Sequence, residues 1–152
     1  MKKTIFLTIL LGCSAFLFAQ SNKTYHNDRQ APQNVQQSFQ RDNPNAGNVS
    51  WQQGNGQWHA RHMDPNSHHN VDTYYDRNGN RLATHRDMDR KEMPHDFDQR
   101  INSRYHARDY HVTRIERPSQ HEVYKLRVTN RSGSRTIYTD EHGNKVDYRE
   151  HY

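Results

Sequence analysis

After residue 31 the hydrophobic positions follow two spacings in succession, first helical and then alternating, and the succession occurs twice. Val35 and Phe39 stand four apart behind Pro32, whose missing N–H suits a first helical turn, and Asn43-Pro44 ends the segment. From Val49 the period becomes two. Val49 and Trp51 alternate with polar residues, Gly54-Asn55-Gly56 turns the chain, and Trp58, Ala60 and His62 share one face of the returning strand. Asp64-Pro65-Asn66 reads as a loop and residues 71–76 as the next strand. Asn78-Gly79 matches the type I′ hairpin pair, in which both central residues take positive φ, and residues 81–85 return. In the second half Pro94 opens a helix with Phe97, Ile101 and Tyr105 at i, i+4 and i+8. Strands are expected over residues 110–116, 123–129, 135–140 and 144–148, with Tyr124, Leu126 and Val128 on the more apolar side of theirs.

The halves also match residue by residue. Residues 74–82 (Tyr-Tyr-Asp-Arg-Asn-Gly-Asn-Arg-Leu) align without a gap to residues 138–146 (Tyr-Thr-Asp-Glu-His-Gly-Asn-Lys-Val), 64 positions later. Pro32, Val35 and Phe39 correspond to Pro94, Phe97 and Ile101. The expected fold is therefore α+β: two tandem helix-plus-four-strand repeats, 32–87 and 88–152, forming antiparallel sheet with helices packed on one face. Residues 20–31 are polar and read as a mobile leader, and the charged residues 86–93 join the copies. The sheet face away from the helices would carry Arg, Lys, His, Gln and Thr, a broad polar contact surface.

The start of the chain sets its destination. Lys2 and Lys3 precede an uncharged run to Ala19, the pattern of a signal peptide over residues 1–19, cleaved near Ala19. Its roughly 16 residues fall short of the ~20 that span a bilayer, and no second apolar run follows, so no membrane span is expected. Leu10-Leu11-Gly12-Cys13 offers lipoprotein processing at Cys13 as an alternative. Removing residues 1–19 takes the formal charge from +5 to +3 and leaves about a quarter of the residues apolar. Nine tyrosines and two tryptophans then supply a thin, aromatic core. With Cys13 gone the exported chain has no thiol, which excludes disulfides and cysteine chemistry.

Twelve histidines raise the question of metal. They cluster at His59, His62, His68 and His69, and again at His106 and His111, without a His-Glu-x-x-His motif. On a strand His59 and His62 point to opposite faces, so His68 and His69, in a loop, are the candidate ligands of a metal-binding or metal-sensing alternative. Solvated surface imidazole is the competing reading. No Gly-x-Ser-x-Gly elbow is present, and the chain is not expected to be an enzyme or to hold a cofactor. Residues 76–79 and 140–143 lack the Gly and Glu positions of a calcium loop and read as turns. Basic and aromatic residues interleave over 104–111, but export and a charge of +3 argue against nucleic acid as a partner.

The chain resembles the PepSY-like proteins of bacterial periplasms, grouped with the β-lactamase-inhibitor-protein-like fold. The resemblance covers nearly all of the exported chain. It rests on Pro32 to Phe39 before Val49-Ser50-Trp51, on Trp58-His59-Ala60, on Tyr75 to Gly79, on Met93-Pro94 and on Tyr138 to Gly143. It implies a periplasmic or secreted binding module whose partner is a protein or cell-envelope component. The inhibitor that names the fold has disulfide-closed repeats and this chain has none, which argues against β-lactamase inhibition; no motif matches its inhibitory residues, so none is carried over.

Overall fold

The structure, a computed structural model, describes residues 26–27, 30–107, 109–130 and 133–150; the expected signal peptide (1–19) and Cys13 lie outside them. Its strands run β1 (His26–Asn27), β2 (Val49–Gly54), β3 (Gln57–Met63), β4 (Asn70–Tyr75), β5 (Arg81–Met88), β6 (Tyr110–Glu116), β7 (Val123–Asn130) and β8 (Gly133–Thr139). Helix α1 (Gln33–Asp42) precedes β2, and a 3₁₀ turn (Arg90–Glu92) and α2 (Phe97–Tyr105) separate β5 from β6. The strands form one antiparallel sheet in sequence order, so β5 and β6 make the two halves continuous. The fold is α+β, as expected. Part of the segment expected to be a mobile leader is instead an edge strand: His26 and Asn27 pair with Gln53 and Gln52.

Alternation decides which side chains go inward. On β3 Trp58, Ala60 and His62 are buried, while on β4 it is Val71, Thr73 and Tyr75. Val35 and Phe39 of α1 cover this half, with Trp51 set edge-on against Phe39 at 5.4 Å. Phe97 and Ile101 of α2 cover the other, over Tyr110, Val112, Leu126, Val128 and Ile137. Each such fully buried side chain contributes about 2 kcal/mol by burial.

Three local expectations need correction. The helix expected to open at Pro94 begins at Phe97, because Pro94 makes a preliminary turn (Phe97 N to Pro94 O, 3.0 Å) and Asp96 takes a left-handed φ of 64°. The type I′ turn is Asn55-Gly56, with φ of 52° and 77°, and not Asn78-Gly79. Around residue 79 the carboxylate of Asp76 accepts from the N–H groups of Asn78 and Asn80, both at 2.8 Å. Gly79 N donates to Asp76 O, so Gly79 alone takes positive φ, at 84°. Asp140 repeats the pattern with His142, Gly143 and Asn144.

The third correction concerns the eighth expected strand, residues 144–148. Only Lys145 bridges to Thr139, and the segment then leaves the sheet edge. Tyr148 and Val146 pack with Ile115, Val123 and Tyr138, which alternate away from the α2 core. The chain end thus lies as a strap on the sheet face opposite the helices. The second half contributes three strands and a strap, where four strands were expected.

Candidate functional site

The face of the sheet away from the helices is set by register. Pairing runs Ser50–Arg61–Asp72–His85–Ile115–Val123 along one row and Gln52–His59–Tyr74–Ala83 along the next. A third row joins Asp87, Thr113, Lys125 and Tyr138, and a fourth joins His111, Arg127 and Thr136. The outcome is a polar and aromatic surface crossing both halves.

Its side chains are organised around carboxylates. Asp72 accepts from His59 Nε2 and from Arg61 Nε, each at 2.7 Å. Burial disfavours the Asp72 carboxylate, but hydrogen bonds from His59 and Arg61, with their charges, outweigh it and hold its pKa at about 2. His59 stacks on Tyr74 at 4.7 Å, and Tyr74 meets His85 at 5.0 Å. Burial lowers the His85 pKa to about 4, against the attraction of Glu150, so it is a neutral imidazole at pH 7.

A second cluster anchors the strap. Lys125 Nζ donates to Glu150 Oε1 at 2.7 Å, and the Tyr138 hydroxyl donates to the same oxygen at 3.1 Å. Burial and Glu150 together push the Tyr138 hydroxyl up to about 12. The Tyr148 ring lies 4.9 Å from Tyr138 and under the Arg117 guanidinium at 4.6 Å. Beside the strap opens a cleft of about 870 Å³, lined by Arg117, His121, Glu122, Asp140, His142 and Tyr148 among others.

Another carboxylate orders the next row of this surface. Asp87 accepts from His111 Nε2 at 3.0 Å and from Thr113 Oγ1 at 3.1 Å. There a carboxylate stands between imidazole and hydroxyl, whereas a nucleophile relay puts the imidazole in the middle. Arg61, Arg127, Ser134 and Thr136 of this face are exposed.

The candidate metal ligands separate. His69 comes together with Asp89 and Glu92, while His68, at a φ of 59°, is exposed and outside that group. Sequence reasoning missed both carboxylates because it treated 86–93 as a joining segment. The signal that could have found them is Asp89-x-x-Glu92, the spacing of a capping box. His59 and His62 do lie on opposite faces: His59 serves Asp72, and His62 is buried against Phe39 at 5.2 Å. There burial lowers its pKa.

No protein-family profile matches the chain, and no curated protein matches it. Solved structures do. A DUF2874 family protein from Bacteroides ovatus superposes with a TM-score of 0.71 at 18% identity, covering 79% of this chain and 87% of that one. A proposed periplasmic protein from Bacteroides eggerthii gives 0.70 at 15% identity, over 78% and 88%. A BLIP-like protein from Bacteroides fragilis gives 0.68 at 17% identity, over 79% and 86%. The fold is therefore the BLIP-like one. Among the described residues, no helix is long and apolar enough to cross a membrane.

Proposed function

We propose that this chain is an exported, periplasmic, non-catalytic binding module of the PepSY-like kind, made of two copies of one unit (32–87 and 88–152). It presents the sheet face opposite its helices to a protein or envelope component. The observation that carries this reading is the continuity of that face. Ion-paired polar groups from both halves lie on one unbroken sheet, with hydrogen bonds already formed around Asp72, Asp87 and Glu150. Preorganised polar side chains lose little further freedom on binding, which favours recognition. The periplasmic description of one structural neighbour and the BLIP-like description of another agree with it.

Introducing a carboxylate on each face tests the reading. Arg127→Glu alters an exposed sheet-face residue and Gln37→Glu an exposed residue of α1. A partner captured from envelope extract by the unaltered protein is expected to be lost with Arg127→Glu and kept with Gln37→Glu. Loss with Gln37→Glu alone would move the binding surface to the helices.

A further inference from the structure

Away from the sheet-face clusters, three potential metal ligands converge from two separate stretches of chain. His69 ends the β3–β4 loop, Asp89 precedes the 3₁₀ turn between β5 and α2, and Glu92 ends that turn. His69 Nε2 lies 3.4 Å from Asp89 Oδ1, and Nδ1 lies 3.5 Å from Glu92 Oε2. One donor atom from each residue falls within 4.8 Å of the others.

Both flanks are fixed by their own backbone. Asp64 accepts from the N–H groups of Asn66 and Ser67 through Oδ1, and its N–H donates to His69 O at 2.9 Å, closing the loop behind the imidazole. Arg86 Nη1 holds the other oxygen of Asp64 at 2.9 Å. On the facing side Glu92 Oε2 accepts from Asp89 N at 2.7 Å, which orients Glu92 towards the ring. Lys91 Nζ, 3.1 Å from Asp89 Oδ2, takes the oxygen of Asp89 that faces away from His69.

Both ring contacts are longer than a well-closed imidazolium–carboxylate hydrogen bond. Charge-assisted hydrogen bonds close to about 2.7–2.9 Å, and neither ring contact does. Nδ1 of His69 is also buried without a hydrogen-bond partner, an orphan of the kind that folded proteins rarely leave. For an ion bound through Nδ1, the 3.5 Å to Glu92 Oε2 is instead close to the ~3.3 Å between neighbouring ligands of a tetrahedral ion with bonds near 2.0–2.2 Å. An ion takes one ring nitrogen only. All three donors lie within 4.8 Å, so closing the widest gap to ligand spacing needs at most about 1.5 Å of side-chain movement.

We infer that His69, Asp89 and Glu92 form a divalent transition-metal site completed by water. One imidazole and two carboxylates make a mixed nitrogen–oxygen set, which suits zinc better than calcium or magnesium. The ion would join the β3–β4 loop to the segment that leads into α2. This site is independent of the sheet face, and its failure would leave the binding reading untouched.

The test is calorimetric titration of the purified, metal-stripped protein with zinc sulfate at neutral pH, with melting temperature read in parallel. The unaltered protein and His68→Ala are expected to bind one equivalent and to melt several degrees higher with zinc. His69→Ala is expected to lose at least tenfold in affinity together with the melting shift, and Asp89→Asn to weaken binding with its circular dichroism unchanged. Binding that survives His69→Ala, or weak binding at many histidines, would overturn the site. Equal losses in His68→Ala and His69→Ala would do the same.

Discussion

At the scale of single residues, His85 and Asp72 give the sheet face its response to acid. His85 has a folded pKa of about 4 against about 6.5 unfolded, so the unfolded chain takes up the proton first as pH falls. Stability is therefore lost from pH 6.5 down to about 4, by roughly 3 kcal/mol in total from this one group. Denaturant titrations from pH 7 to 4 are expected to show His85→Gln losing correspondingly less stability than the unaltered protein. Equal slopes for the two would place the acid sensitivity elsewhere. Asp72 acts in a lower window. Its stabilising charge is fully present above its unfolded pKa near 3.8 and is lost as pH falls through about 2. Asp72→Asn is expected to cost about 2 kcal/mol at pH 7 and little at pH 2, by the same titration.

At the scale of elements, the two Asp-x-x-Gly turns are where helices dock. A Cβ on Gly79 would stand 2.9 Å from Ser38 Oγ and 3.0 Å from the Asn34 carbonyl oxygen of α1. A Cβ on Gly143 would meet the end of the Ile101 side chain at 3.1 Å and Arg100 Cβ at an ordinary 3.6 Å. Both also need positive φ. Gly79→Ala, facing a helix backbone that cannot give, is expected to destabilise by about 2–3 kcal/mol. Gly143→Ala, facing a side chain that can turn, should cost about 1–2 kcal/mol. Urea unfolding checks the order, and equal costs would deny the helix contact its role. The strap makes a second prediction. Tyr148→Ala removes its packing on Tyr138 and Arg117, so hydrogen exchange at residues 144–150 should speed up while β3 and β4 stay protected.

These elements also show what can be read from residues alone. Trp58, Ala60 and His62 were legible because strand alternation leaves one choice of face. Val35–Phe39 and Phe97–Ile101 were legible because four-residue spacing fixes one helical side. The strap was not. Val146 and Tyr148 alternate as a strand would, and only the departure of the backbone after Lys145 sends them across the sheet. Asn78-Gly79 misled for a related reason: its pattern fits a two-residue turn, but the Asp76 side chain captures the backbone and adds a residue to the loop. His68 and His69 were indistinguishable by sequence. Their separation depends on a loop conformation and on carboxylates twenty residues away.

At the scale of the whole molecule, one uninterrupted sheet separates two roles. The helices and their Gly turns occupy one face and hold most of the core. The other face carries ordered polar pairs from both halves, with the strap across one end. A BLIP-like arrangement of this kind needs little apolar surface, in keeping with a chain in which about a quarter of residues 20–152 are apolar. It leaves a wide, already hydrogen-bonded surface facing solvent. The most direct measurement is site-specific photo-crosslinking in producing cells. A photoreactive residue would replace Arg61 or Arg127 on the sheet face, and Gln37 or Asn102 on the helices. The account predicts one discrete adduct from both sheet-face positions and none from the helix positions. Adducts confined to Gln37 and Asn102 would contradict it.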